Sequence, residues 1–280
     1  NRLFVDRLGG LVFYPFSATK RVELGGALEL YNSRTTRYST LYDVNGFARY
    51  TERTKEPKQP GLALQNVSVA LVGDNSYFGL TAPLQGWRYR LAAEQYFGDF
   101  HFSTLLLDGR RYFYAKPVTF AVRGMAYGRF GGNSADLFPL FVGQATFMRG
   151  YTRQVLTEDA PELVDQVFGS KIAVGNFEVR LPFTGPRRLS LIKSGFLVTD
   201  LNVFFDAGLS FYDRTDFRSE DPTPLDGQDH VVRKPVYSTG VSLRVNVFNY
   251  LVLEPYFALP LSVPAENRRW TFGLNLTPGW

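Results

Sequence analysis

The 280-residue chain contains no cysteine. That excludes a disulfide framework and fits an oxidising compartment in which stray thiols are avoided. It has only two histidines, His101 and His230, which are far apart and form no metal-ligand pattern. No run of about 18 apolar residues occurs, so a membrane-spanning helix is excluded. No signal peptide opens the chain, so a secreted form would be mature or trimmed. No Gly-x-Ser-x-Gly nucleophile elbow is present, and Gly131-Gly-Asn-Ser134 reads as a turn. Asp213, Asp216, Glu220 and Asp221 miss the spacing of an EF-hand and read as a solvated loop. No bond chemistry, metal or cofactor is expected.

What the sequence does have is aromatic bulk: 25 Phe and 16 Tyr, within a chain that is 45% hydrophobic. A membrane barrel accommodates such content without long apolar runs, because outward apolar and inward polar side chains alternate along each strand. The net charge of +5 could suggest nucleic acid, but the basic residues are scattered through strands and turns. Without a basic helix or dense patch, that partner is discounted.

In chain order, Asn1 to Thr19 reads as a strand end or a turn plus a strand, stopped by Pro15. Val22 to Tyr31 alternates cleanly. Tyr42 to Arg53 is a poorer strand running into a charged, proline-bearing loop, Thr51 to Gln59. Leu64 to Val72 resumes the pattern, and Gly73-Asp-Asn-Ser76 turns the chain. Strands follow from Trp87, over His101 to Tyr114, and over Val118 to Arg129. Arg123 and Arg129 in the last of these need water or a partner on their side of the sheet. The alternation is sharpest near the end, at 177–183, 201–211, 241–247, 251–261 and 272–276. Asp213 to Lys234 reads as an external loop, and Trp270 and Trp280 bracket the last strand. Tyr and Trp at strand ends suit the two membrane interfaces. A soluble sandwich is the alternative fold, but it would not carry so many apolar outward stripes.

The interruption at 131–169 is too long for a hairpin connection and too aromatic to be disordered throughout. Short helical turns are expected around Ala160 to Phe168, and the apolar content suggests packing inside a barrel. It contains Phe147-Met148-Arg149-Gly150-Tyr151-Thr-Arg153. Glu178 and Asp206 fall on the polar faces of the following strands, so both are candidates to meet Arg149 there. An arginine suits that task, because its rigid fork engages carboxylates through several directed bonds. Glu254 and Arg244 read as lining of a wet lumen.

Together these residues resemble the carboxy-terminal barrel of the BamA-like superfamily, also called bacterial surface antigens. That family's long sixth extracellular loop carries Val-Arg-Gly-Phe/Tyr, similar to Met148-Arg149-Gly150-Tyr151 here, with Met in place of Val. The family's glutamate in the next strand corresponds to Glu178. Its Phe-x-Asp-x-Gly element corresponds to Phe204, Asp206 and Gly208. Phe257-Ala-Leu-Pro-Leu261 resembles the penultimate strand. The stretch with Phe272, Leu274, Leu276 and Trp280 resembles the closing strand. Five strands after the loop is also the family's count.

The resemblance implies an all-β antiparallel transmembrane barrel of the bacterial or endosymbiotic-organelle outer membrane, with a long lumen-inserted loop, over residues 1–280 as one domain. The pattern holds roughly 12 strands where the family has 16; the unprepared start favours further strands and periplasmic modules before Asn1, with a reduced barrel as the alternative. The implied function is outer-membrane protein assembly or insertion, by lateral opening and strand pairing with clients. Alternatives are a secretion pore passing an unfolded partner through the lumen, and a structural surface barrel. The implied partners are outer-membrane lipid and lipopolysaccharide, client outer-membrane or secreted proteins, and accessory periplasmic or lipoprotein subunits.

Overall fold

Period-two alternation sends every second side chain to the same face, and repeated along the chain it builds one large antiparallel sheet. The structure, a computed structural model, describes residues 2–57, 60–79, 81–134, 136–188, 190–213, 232–248 and 251–278. Eleven strands succeed one another as a meander. They are β1 Arg2–Ser17, β2 Lys20–Arg34, β3 Leu62–Asp74, β4 Pro83–Gly98, β5 Phe102–Ala115, β6 Val118–Phe130, β7 Lys171–Gly185, β8 Val198–Phe211, β9 Val236–Val247, β10 Leu251–Pro260 and β11 Thr271–Pro278. Six precede the long loop and five follow it. The edge strands β1 and β11 do not pair with each other among the described residues.

The two faces are chemically distinct, as β8 illustrates. Leu201, Val203 and Phe205 are exposed on the outer side, while Asn202, Phe204, Asp206, Gly208 and Ser210 are buried on the inner side. On β11, Phe272, Leu274 and Leu276 are likewise exposed. A single sheet with an apolar outer face and a polar inner one is the wall of a membrane barrel, not half of a sandwich. No helix among the described residues is long and apolar enough to cross a membrane.

Three expectations need correction. The stretch Tyr42 to Arg53, read as a poorer strand, and the loop after it belong to a separate ribbon, in which Thr36–Tyr42 pairs with Ala48–Lys55 and joins neither β2 nor β3. A two-stranded ribbon clear of the barrel needs no inward face, so its alternation is weak. Pro15 does not end the first strand, and no turn interrupts it: β1 runs for sixteen residues. It is an edge strand, where a missing N–H is tolerated, and its register shifts only between Pro15 and Ser17. Gly73 and Asp74 continue β3 instead of turning the chain. Trp280 and positions 214–231 of the loop after β8, with Asp216, Glu220 and Asp221, lie outside the described residues.

The connections differ at the two ends of the sheet. Segments 35–61 and 131–170 emerge at one end, and the two-residue links 18–19 and 116–117 close the other. We call these the loop end and the turn end. Segment 131–170 contains the helical turns expected around Ala160 to Phe168, Pro161–Leu163 and Val164–Val167, and a further turn that was not expected, Val155–Asp159. A pairing of Leu140–Phe141 with Phe168–Gly169 closes its base.

Candidate functional site

Loop 131–170 folds back onto the inner face of the sheet. Val142, Met148, Tyr151, Leu156 and Val167 from the loop bury themselves against Met125 of β6, Ile172 and Val174 of β7, and Val236 of β9. Two glycines make the approach possible. A Cβ on Gly208 would lie 3.0 Å from both Met148 Sδ and Val142 Cγ2. Gly150 has a φ of +96°, and a Cβ there would come within 3.0 Å of the Ala258 Cβ on β10. Such a dihedral is open to glycine and strained for other residues. The Tyr151 hydroxyl donates to the Tyr237 carbonyl at 2.7 Å, which fixes the far side of the motif.

Between these apolar anchors Arg149 reaches the wall with its side chain only 5% exposed. Its backbone N–H and Nε both donate to Asp206 Oδ2, at 3.1 and 2.9 Å, and Nη2 donates to Oδ1 at 2.8 Å. Nη2 also lies 3.0 Å from Glu178 Oε1, and Nη1 donates to Glu254 Oε1 at 3.1 Å. The guanidinium carbon sits 3.5 Å from the centroid of the Phe204 ring, a cation–π contact that desolvation strengthens. A Cβ on Gly240 would come 2.6 Å from Phe204 Cζ, so that glycine leaves room for the ring. Burial alone lowers the Arg149 pKa, but Glu178, Asp206 and Glu254 outweigh it and hold the pKa above its ordinary value.

The sheet register brings the acids together. Asp206 stands opposite Asn176, and Glu178 stands opposite Phe204, so the two carboxylates are diagonal neighbours on adjoining strands. Asn176 Nδ2 bridges Asp206 Oδ1 at 2.9 Å and the Phe147 carbonyl at 2.8 Å. Arg244 Nη2 lies 3.0 Å from Glu178 Oε2 and its Nε 3.3 Å from Glu254 Oε2, while Arg180 Nη2 lies 2.7 Å from Glu178 Oε2. Three guanidiniums thus alternate with three carboxylates, and no charge of the six is left buried without an opposite neighbour. That balance matters, because a buried charge without a partner carries a large desolvation cost.

A family model described as the Omp85 superfamily domain matches residues 8–277. The chain belongs to the Omp85 superfamily. Among solved structures, BamA from Haemophilus ducreyi lacking POTRA domains 1–3 is similar at 14% identity and a TM-score of 0.65, over 99% of this chain and 54% of that one. CdiB from Acinetobacter baumannii is similar at 14% identity and a TM-score of 0.54, over 97% and 41%. CdiB from Escherichia coli gives 11% identity and a TM-score of 0.53, over 98% and 44%. These likenesses concern the fold, and the chain spans about half or less of each structure's length. No curated protein matches the sequence.

In this Omp85 domain the structure brings Met148, Arg149, Gly150 and Tyr151 together with Glu178, Asp206 and Gly208. Phe272, Leu274 and Leu276 lie elsewhere, on the edge strand. Sequence reading passed over several members of the cluster. Glu254 and Arg244 lie within it, not merely along the lumen, and Arg180 and Asn176 complete it. The available signal was their shared inward phase with Asp206 and Glu178. Arg123 and Arg129, which needed partners, find them partly in the loop. Arg123 donates to the Thr146 carbonyl at 2.7 Å and Arg129 to the Phe138 carbonyl at 2.6 Å. Arg123 also lies 2.9 Å from Asp108.

Proposed function

We propose that this chain is an outer-membrane barrel that assembles or inserts other membrane proteins, with loop 131–170 fastened in its lumen by Arg149. The observation that carries this reading is the loop fastened inside the lumen. The lumen holds a loop tied down by three carboxylates, by the strand side chains Arg123, Arg129, Asn176 and Ser210 that bind its carbonyls, and by an apolar cluster. Passage through the lumen first requires the loop to leave, whereas a client strand can add to a sheet edge by main-chain pairing with the loop still in place. The loop end then faces the exterior and the turn end the periplasm, as in other outer-membrane barrels.

The reading places the protein in a bacterial or organellar outer membrane, among lipid and lipopolysaccharide. Its partners are client barrels and accessory periplasmic or lipoprotein subunits. Secretion of an unfolded partner is the second reading, supported by the cavity of about 350 Å³ that remains beside the loop. The test is reconstitution of the full protein into liposomes that resist spontaneous insertion, followed by addition of a urea-unfolded client barrel. Client folding, read by heat-modifiable gel migration, is expected to be faster than in empty liposomes. Equal rates would refute insertion.

A further inference from the structure

The lumen is engaged from the turn end as well. The connection between β3 and β4 does not stay at the rim: Phe78, Gly79, Thr81, Ala82 and Pro83 line the same cavity as Arg149, Glu178 and Arg244. A tight turn, in which the Gly79 N–H donates to the Ala82 carbonyl at 2.9 Å, aims Thr81 across the interior. There the Thr81 hydroxyl donates to Asp200 Oδ2 on β8. Arg180 Nη1 on β7 donates to the Pro83 carbonyl at 3.3 Å. In the sheet, β8 lies four strands beyond β4, so this contact spans the lumen rather than joining neighbours.

Asp200 is chemically set apart from the six-charge cluster. Its residue is 3% exposed, yet among the described residues no guanidinium donates to it, and its Oδ1 finds no hydrogen-bond partner. A buried carboxylate with one hydroxyl donor is a sparsely supported anchor, and loss of that donor leaves it with none. The neighbours that do lie close are Arg244, opposite Asp200 on β9, and Arg180, opposite Asn202 on β7. Both arginines grip Glu178, which also faces Arg149.

We propose that the β3–β4 connection is a second closure of the barrel, a strap latched on Asp200 by Thr81 and tied to the loop through Arg180, Glu178 and Arg149. The strap closes the turn end while the loop closes the other. Release of Arg149 frees Glu178 Oε1 and lets the Glu178 carboxylate turn, and Arg180, held on it at 2.7–2.8 Å, turns with it and loses its 3.3 Å bond to the Pro83 carbonyl. Opening at one end thereby loosens the other, and a transit path forms only when both give way. The latch stands on its own contacts. The coupling rests on the proposed role of the loop.

The chain's lack of cysteine makes the test direct. In the full protein in liposomes, Ala82→Cys places a single thiol on a strap residue that is 7% exposed, and its reaction with a water-soluble maleimide reports release. Thr81→Val keeps the shape and removes the donor, so labelling is expected to rise about tenfold or more. Asp200→Ala should do the same, while Asp200→Asn, which keeps an acceptor, should stay near the parent rate. Heat-modifiable migration confirms that each variant is folded. Unchanged labelling in folded Thr81→Val would overturn the strap. Arg149→Ala is expected to speed labelling at position 82 as well as that of a separate loop reporter, Ala160→Cys. Faster labelling at 160 with position 82 unchanged would overturn the coupling. Unchanged labelling at 160 would instead count against the loop's proposed role.

Discussion

Removing the Arg149 side chain should release the loop, and the structure sets the size of the effect. In Arg149→Ala, Glu178 keeps Arg180 and Arg244, and Glu254 keeps Arg244 and the Ser242 hydroxyl at 2.7 Å. Asp206 is left with the Asn176 amide and the backbone N–H of residue 149. Its residue is 0% exposed, so its charge cannot be handed to water while the loop stays in place. Breaking one buried ion pair costs about 3–5 kcal/mol. The stacked Phe204 contact adds up to about 2 kcal/mol in a desolvated site. We expect loop docking to weaken by about 3–5 kcal/mol, a change of roughly a hundredfold or more in the undocked population. The assay is maleimide labelling at Ala160→Cys, a loop position that is fully buried. Arg149→Lys should recover only part of the loss, because an ammonium keeps the charge without the fork. In a double-mutant cycle, Arg149→Ala with Asp206→Ala should couple strongly, and Arg149→Ala with Glu254→Ala less so, since Arg244 still serves Glu254. Effects additive within about 0.5 kcal/mol would refute the reasoning.

Gly150→Ala should loosen the loop by about 1–3 kcal/mol, since a side chain must adopt an unfavourable dihedral and press on Ala258; labelling at position 160 is the readout. Val203→Arg on the outer face should destabilise the barrel by about 2–4 kcal/mol if that position lies near the bilayer midplane, measured by heat-induced unfolding in bilayers. Water-reagent access at Val203 and Leu209 with poor oxygen access would contradict the lipid-facing assignment. In the ribbon, the backbone N–H of Phe47, with that of Asn45 and the Arg49 side chain, holds the Asp43 carboxyl below its ordinary pKa, against an opposing effect of burial second in size to the Phe47 bond. Because the folded pKa is depressed, the turn is fully supported above the free-aspartate value of about 3.9 and loosens as pH falls through the lower folded value. Amide exchange at Asn45 and Phe47 should accelerate only in that acid range, and Asp43→Ala should abolish the pH dependence.

The strands after the loop were legible because burial on one side forces strict alternation: a one-residue slip in β8 would turn Asp206 to lipid and Val203 to the lumen. Arg149, Glu178 and Asp206 could be matched because the two acids share the inward phase of adjoining strands. Glu254 and Arg244 share it too, but their participation depends on where the loop descends, which local pattern does not encode. The same holds for Thr81 and Asp200, which are brought together by a turn folding across the lumen. The first strand was misread because proline usually ends a strand, and only its position at the sheet edge relaxes that rule. The ribbon was counted into the barrel because a short two-stranded hairpin and a weak barrel strand look alike in sequence.

The central claim is that clients add at the sheet edge while the loop holds the lumen shut. A photo-reactive phenylalanine analogue at Leu274, on the outward face of the edge strand, and another at Tyr112, in the lumen wall, separate the two routes during client folding in liposomes. The account predicts client cross-links from position 274 and none from position 112. Cross-links from 112 alone would contradict it and indicate passage through the lumen.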